Sequence, residues 1–335
     1  MTITWGILGT GRVAGIFTED LLLAGHRVAA VGSRAPGTAA AFAARYGIGR
    51  AYGSYAELAA DDRLDIVYVA TPHSSHHPLA RQCLEAGRAV LVEKPFTTSP
   101  ADARDLVALA RRRGLFLMEA MWTRFNPVIV KLRSLVSEGR IGEIKAVYAD
   151  FSVAHDFDPA HRLWAPALGG GALLDLGVYA LSFASMLLGR PDSAEAMIAP
   201  APTGVDANTG ILLGYSSGAV ALLHCGLLAE SPQTATVVGT TGWIEVGTPF
   251  FRPTRLVLHR HGAAAETYSA DIRGHGYVHQ AEEVARCLRA GLIESPMMPL
   301  DDSLSVLDTA HAVAQRSATA RRSISERTPS ASGTP

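Results

Sequence analysis

The stretch Gly9-Thr10-Gly11-Arg12-Val13-Ala14 follows a short apolar run, residues 3–8, and begins a segment whose apolar residues recur at helical spacing. Gly9 permits a tight turn, Gly11 lets a pyrophosphate approach the backbone, and Ala14 allows the helix to pack closely. The first helical turn also offers free N–H groups and positive potential. The pattern therefore predicts a dinucleotide-binding domain. The residues predicted to contact the cofactor here are Gly9, Thr10, Gly11, Arg12 and Val13.

Apolar runs and helical patterns alternate through the first third of the chain. Ser54 with Glu57, and Ser99 with Pro100, mark the beginnings of two helices. Because strands that alternate with helices run parallel and are covered on both faces, this region predicts an α/β fold with a doubly wound parallel sheet. The predicted strands are residues 3–8, 27–31, 66–70, 89–92 and 115–118.

The alternation ends after Trp122. Beyond it the sequence predicts helices and the strands of a broad, largely antiparallel sheet, with a long strand over 144–153 and further strands between about 196 and 259. These strands have few helices to cover both sheet faces, which favours a homodimer. We therefore predict an NAD(P)-binding domain, 1–122, a substrate-binding and dimerisation α/β domain, 123–322, and a Ser/Thr/Pro-rich tail, 323–335, expected to be disordered.

The composition and charge bear on the partners, the cysteine chemistry and the location to be expected of this protein. The chain has 335 residues, more than one core usually serves, and its net charge of −1 gives no reason to expect nucleic acid or a membrane surface as a partner. Cys83, Cys225 and Cys287 are widely separated, which predicts buried thiols rather than a metal site or disulfides. We expect no apolar run to reach the roughly 20 residues of a membrane helix and no secretory signal, and hence a cytoplasmic protein.

The end of the second predicted strand bears on cofactor choice. NAD-specific domains place an acidic residue there, where it binds the adenosine ribose. This chain has Val31-Gly32-Ser33-Arg34 instead. Ser33 can hydrogen-bond a 2′-phosphate and the Arg34 guanidinium can pair with it, which favours NADP over NAD. The alternative is that Arg34 is a solvated loop charge.

Two further segments follow predicted strands of the same sheet, at the edge where ligands bind. Ala70-Thr71-Pro72-His73 is predicted to line the cofactor, and His76 lies near the nicotinamide or substrate unless it only packs or caps a helix. Glu93-Lys94-Pro95 follows another strand. Because Pro95 fixes the turn, Lys94 is expected to face the cofactor crevice, where an ammonium lowers the pKa of a neighbouring acid or polarises a substrate oxygen.

The second domain has one comparable segment, Gly169-Gly170-Gly171-Ala172-Leu173-Leu174-Asp175-Leu176-Gly177-Val178-Tyr179. Asp175 and Tyr179 are four residues apart and share one helix face. A carboxylate and a phenol on one face suit proton transfer and hydroxyl binding. The alternative is that Tyr179 belongs to the core.

Together these segments resemble the Gfo/Idh/MocA oxidoreductases over almost the whole chain. Glu93-Lys94-Pro95 and 169–179 match two family motifs, and residues 276–288 match the family's late Gly-Tyr helix. Residues 118–125, Met-Glu-Ala-Met-Trp-Thr-Arg-Phe, look most like dimeric dihydrodiol dehydrogenases and their bacterial relatives.

The resemblance implies an NADP-dependent dehydrogenase or reductase of a sugar, a dicarbonyl or a trans-dihydrodiol, dimeric through its open sheet and without a metal. Lys94 and Tyr179 would be catalytic, with Tyr179 as proton donor, Asp175 would bind substrate hydroxyls or hold Lys94, and Glu93 would lie at the cofactor. Many members have Trp-Arg where this chain has Trp164-Ala165, and Arg162 is a candidate replacement. The substrate-binding candidates are Trp122, Arg124, Phe125, Trp164 and Asp175, although the aromatic ones would equally suit the core.

Two other functions stay open at this point. One is a sugar–sugar oxidoreductase with tightly bound NADP. The other is a non-catalytic NAD(P)-binding regulator, which would need neither Lys94 nor Tyr179.

Overall fold

The computed structural model describes residues 2–325, with the backbone alone for residues 316–325. Its first sheet has six parallel strands in the order β3-β2-β1-β4-β5-β6, where the strands are β1 (Thr4–Leu8), β2 (Arg27–Gly32), β3 (Arg50–Tyr52), β4 (Ile66–Val69), β5 (Ala89–Glu93) and β6 (Leu117–Ala120). The order reverses between β1 and β4, which places the ligand crevice of a doubly wound sheet beside these two strands. The predicted fold class is confirmed.

Five helices connect these strands: α1 (Arg12–Leu23), α2 (Pro36–Tyr46), α3 (Tyr55–Ala59), α4 (His76–Glu85) and α5 (Pro100–Arg113). The Ser54 and Ser99 side chains accept the N–H groups of Glu57 and Asp102, so both predicted caps are present. Strand β3 was not predicted, because its three residues are too few to show a period. Strand β6 begins two residues later than the prediction.

The second sheet is mixed and has eight strands. Its strands are β7 (Ile144–Ser152), β8 (Ser193–Pro200), β9 (Asp206–Gly214), β10 (Val220–Gly226), β11 (Ala235–Gly239), β12 (Gly242–Val246), β13 (Arg255–Arg260) and β14 (Glu266–Ser269). The order is β14-β13-β12-β11-β7-β10-β9-β8, and only β7 and β10 pair in parallel. Along β9 buried and exposed residues alternate, as expected of a sheet with one covered face.

Four more helices complete the described chain: α6 (Pro127–Ser137), α7 (Val178–Leu188), α8 (Val278–Arg289) and α9 (Leu300–Ser325). Helix α7 packs against β7 and β10 of the second sheet, whereas α8 contacts α1 and α9 contacts α5. Helix α9 also contacts α7 and β8, so α8 returns to the first sheet's layer and α9 lies between the two layers. The division at residue 122 stays a prediction. Helix α9 includes residues 323–325 of the tail that was expected to be disordered; residues 326–335 lie outside the described residues.

The buried carboxylate of Asp20 holds the start of α8 against α1. It accepts the backbone N–H groups of His275 and Tyr277 at 2.8 Å each. Because Asp20 lies on α1, which begins at the predicted cofactor turn, this contact holds the start of α8 beside the cofactor-binding element. The sequence signal for such a partner is a carboxylate between the apolar positions Phe17 and Leu21, and this contact was not predicted.

One expectation about apolar segments needs correction. The continuous segment Pro166–Leu188 is long and apolar enough to cross a membrane by length and composition alone. However, 78% of its most apolar window is buried inside the protein, as in a core helix. All three cysteines are buried, as predicted.

Candidate active site at the carboxyl edge of the parallel sheet

The turn after β1 has the shape of a dinucleotide cradle. Gly9 has a φ of +107°, and a Cβ on it would lie 2.3 Å from the carbonyl oxygen of Ala70. Gly11 precedes α1, is exposed, and has open space where a Cβ would be. No side chain caps α1, so its first N–H groups face outward for a phosphate. The buried Thr71 hydroxyl, across the crevice, has no protein partner and also suits a ligand.

The residues predicted to determine the preference between NADP and NAD lie at the end of β2. The Ser33 hydroxyl lies 2.6 Å from that of Thr38, so the two form a polar pair on the loop. Arg34 and Arg12 are exposed, and no hydrogen bond or ion pair within residues 2–325 engages either guanidinium. A dinucleotide bound at Gly11 would therefore have two hydroxyls and two cations near it. No acidic residue lies at the end of β2.

The turn after β4 contains two histidines with different surroundings. His76 is fully buried, and its ring nitrogens lie 2.8 Å from the Pro95 carbonyl and 2.9 Å from the Thr71 carbonyl. Burial lowers its pKa to about 4, so the neutral ring donates to only one of the two. His76 therefore links two turns and does not face a substrate. His73 Nδ1 lies 2.9 Å from the carbonyl of Gly169 in the second domain.

Lys94 and Asp175 form the centre of the site. The Lys94 ammonium donates to the Asp175 backbone carbonyl at 2.6 Å and to its Oδ1 at 3.0 Å. Arg162 Nη1 donates to the same oxygen at 3.0 Å, and His73 Nε2 lies 3.5 Å from it. Burial acts to raise the pKa of Asp175, but Lys94, His73 and Arg162 outweigh it and hold that pKa well below its usual value. The carboxylate is therefore ionised and joins both domains.

Tyr179 lies against this centre but its hydroxyl does not contact Lys94. The ammonium lies over the ring, 5.0 Å from its centroid, and the phenol oxygen accepts the Trp122 indole N–H at 2.9 Å. Burial, followed by the charge of Glu93, raises the pKa of Tyr179 far above its usual value. The expected lowering of this pKa by Lys94 is not seen, and the phenol is protonated at neutral pH.

The glycine run before Asp175 brings these parts together through three close approaches. A Cβ on Gly169 would lie 2.9 Å from Cβ of His73, and one on Gly170 would lie 2.8 Å from the Arg162 carbonyl. A Cβ on Gly171 would lie 2.2 Å from Oδ1 of Asp206. Only glycine leaves room for all three contacts. A π-helical turn, Leu173–Gly177, follows and carries Asp175.

An aromatic wall borders Tyr179. Trp122 stacks on Tyr277 with 4.7 Å between ring centroids, and Phe151 stacks on Phe251 at 4.3 Å. Tyr179 lies edge-on to Phe151. Trp122 was predicted from the sequence as a site residue, but Tyr277 and Phe251 were not, because their proximity to Tyr179 depends on long-range packing.

The other predicted substrate-binding residues lie elsewhere. The buried Arg124 donates to the Ser182 hydroxyl at 2.9 Å and pairs with Asp302, so it joins the core elements and not the Lys94 centre. Trp164 is buried and its indole N–H donates to the Asp156 carbonyl at 2.8 Å, which orders the loop bearing Arg162. Phe125 is buried in the turn after β6. Among residues 2–325, no cluster of three acidic, His or Cys side chains suits a metal ion.

Comparisons with known proteins show the family of this chain. The oxidoreductase family with an NAD-binding Rossmann fold matches residues 3–121, and the GFO/IDH/MocA C-terminal domain matches residues 129–245. The chain is 38% identical over 320 residues to a trans-1,2-dihydrobenzene-1,2-diol dehydrogenase from Sus scrofa, covering 92% of this chain and 95% of that protein. The chain belongs to the Gfo/Idh/MocA family.

Two solved structures extend the likeness. An aldose-aldose oxidoreductase from Caulobacter crescentus, complexed with glycerol, has a TM-score of 0.87 at 26% identity, over 96% of this chain and 99% of that one. A 3-ketoreductase from Actinomadura kijaniata, in complex with NADP and TDP-benzene, has a TM-score of 0.82 at 27% identity, over 94% and 98%. This Gfo/Idh/MocA protein is an enzyme, an NAD(P)-dependent oxidoreductase acting on CH–OH groups.

Glu93 makes the stability of this protein depend on pH. It is fully enclosed beside the Tyr68 hydroxyl, and burial raises its pKa to about 7. Between the pKa of Glu93 in the unfolded chain and about 7, the native state keeps the Glu93 proton that the unfolded state releases. The free energy of unfolding therefore falls as the pH rises through that window.

We expect Glu93→Gln to flatten this decline and to be more stable than the native protein above pH 7, by about 1–3 kcal/mol. Urea unfolding between pH 5 and 8 measures it, with the exposed Glu230→Gln as control. An unchanged slope in Glu93→Gln would refute the assignment.

Proposed function

We propose that the protein transfers a hydride between NADP and a secondary alcohol or carbonyl of a small polyhydroxylated molecule, such as a sugar, a dicarbonyl or a trans-dihydrodiol. The observation that supports this most is the Lys94–Asp175 pair, 3.0 Å apart, with Tyr179 against it at the carboxyl edge of the parallel sheet. A bound nicotinamide supplies or accepts the hydride. The named activities of the relatives, on a dihydrodiol and on aldoses, support the same class of substrate.

The protein's own groups divide the remaining work. An ammonium has three donors, and Lys94 uses two on Asp175, so the third is available to a substrate oxygen. Tyr179 keeps its proton at neutral pH and can donate it to an oxygen that gains negative charge as a carbonyl is reduced. The aromatic wall excludes water from one side. The protonated phenol is the form that carbonyl reduction needs, whereas alcohol oxidation would need the phenolate.

The proton-transfer assignment is tested by two substitutions. We expect Tyr179→Phe to lower kcat for carbonyl reduction by about 10²- to 10⁴-fold, the usual contribution of a general acid, and to leave NADP affinity within a few-fold. Lys94→Met should be at least as damaging, and the double variant far less than multiplicative, because the two groups act on one oxygen. NADPH absorbance on a panel of sugars, dicarbonyls and dihydrodiols measures this. Near-native turnover by Tyr179→Phe would contradict the assignment.

The proposed preference for NADP depends on Ser33 and the exposed Arg34. We expect Arg34→Asp to invert the order of affinities, since a charge-assisted contact worth about 1.5–3 kcal/mol is replaced by repulsion of the 2′-phosphate. Calorimetry with NADP and NAD measures both affinities, and the exposed Arg190→Asp, on the second domain, is the matched control. Tighter binding of NAD by the unmutated protein would rule out the preference.

We also propose that the exposed face of the second sheet forms a homodimer. Tyr148, Leu222 and Leu212 lie side by side on β7, β10 and β9, and each side chain is exposed by more than 40%. A contiguous apolar row of this kind usually marks an interface.

Light scattering should therefore give twice the chain mass of 35.4 kDa, and Leu222→Glu should shift the protein toward monomer. Leu23→Glu, which changes a more exposed leucine on α1, should have no such effect. A monomeric native protein at micromolar concentration would refute the dimer.

A further inference from the structure

Arg162 is the most accessible member of the charged centre. Its side chain is 48% exposed, whereas those of Asp175 and Lys94 are 7% and 13% exposed. Its guanidinium is therefore the group of this centre that a ligand from solvent can reach most readily. Only two of its donor nitrogens contact Asp175, Nη1 at 3.0 Å and Nη2 at 3.4 Å. A guanidinium has five N–H donors, so several stay available.

Two cations meet one ionised carboxylate at this centre. Lys94 and Arg162 both contact the carboxylate oxygen Oδ1 of Asp175. Glu93, next to Lys94, is buried and has a pKa of about 7, so below that pH it is neutral and Arg162 brings a positive charge that Asp175 does not offset. Asp158, on the same loop, is exposed to solvent and forms no ion pair with Arg162 among the described residues. A cation that is not matched by a carboxylate attracts a substrate group of the opposite sign.

The Arg162 segment is held in place. The carbonyl of its neighbour Leu163 accepts the Gly171 N–H at 2.9 Å, and the absent side chain of Gly170 leaves room for the Arg162 carbonyl. On the N-terminal side of Arg162, the centroids of the His155 and His161 rings lie 4.2 Å apart. Because these contacts hold the backbone of the segment in place, the Arg162 guanidinium has a defined position. A guanidinium so placed can bind a planar carboxylate or a tetrahedral phosphate.

We propose that Arg162 anchors an anionic substituent of the substrate, a carboxylate or a phosphate ester, and so selects acidic hydroxy or keto compounds over neutral ones. This inference rests on the proposed function, because it assigns a substrate class to the same site. It differs from a role in which Arg162 only positions Asp175, since positioning would serve neutral and acidic substrates equally. The reacting carbonyl or hydroxyl would meet Lys94 and Tyr179, and the anion would meet Arg162.

The test compares substrates that differ only in charge. Glucose, glucuronate and glucose 6-phosphate are assayed with NADP, and binding of each to the protein–NADPH complex is followed by NADPH fluorescence. We expect the native enzyme to bind at least one of the acidic sugars about 10- to 100-fold more tightly than glucose. The two acidic sugars separate the carboxylate source from the phosphate source.

Substitutions assign the preference to Arg162. Arg162→Gln should raise KM for the acidic sugars about 10- to 100-fold more than KM for glucose, so that the preference is lost, while NADP affinity stays within a few-fold. Arg162→Lys should restore part of it, and Arg190→Gln should be unchanged. Equal binding of neutral and acidic sugars by the native protein, an equal loss for both in Arg162→Gln, or a loss of NADP affinity would each overturn the inference. If NADP itself does not bind, the proposed function fails.

Discussion

The buried carboxylate of Asp175 is the contact on which the site depends. An ion removed from water is stable only where several partners compensate it. Here Lys94 comes from the end of β5 in the parallel sheet, and Arg162 comes from the loop before the glycine run, and both donate to one oxygen. The ion pair therefore fixes where the second domain's helix begins relative to the first domain's crevice, and with it the position of Tyr179.

Three glycines make that contact possible. Gly169 packs against His73, Gly170 against the backbone of Arg162, and Gly171 against Asp206. A side chain at any of these positions would push apart the cofactor turn, the Arg162 loop or the start of the helix. The same residues that identify the family by pattern thus act here as spacers, and the chemistry follows from the spacing.

The parallel sheet could be predicted from sequence, because apolar runs, capping residues and helical spacing are local signals. The approach of Asp175 to Lys94 was expected only from the family resemblance. Asp20, Tyr277 and the Trp122–Tyr179 hydrogen bond were missed as parts of the site, since each depends on a contact between residues far apart in the chain. His76 and Arg124 are polar residues in suggestive places, yet both are buried in contacts with the protein itself. A sequence pattern locates a polar residue along the chain but does not show whether its side chain faces the site or contacts the protein interior.

The most direct test of this account is a double-mutant cycle between Lys94 and Asp175. The free energy of unfolding in urea would be measured for the native protein, Lys94→Met, Asp175→Asn and the double variant. We expect the double variant to be more stable than the sum of the two single effects allows, with a coupling free energy of about 1–3 kcal/mol. Effects that add to within about 0.3 kcal/mol would contradict it, because the two residues would then be independent and the buried ion pair would not organise the site.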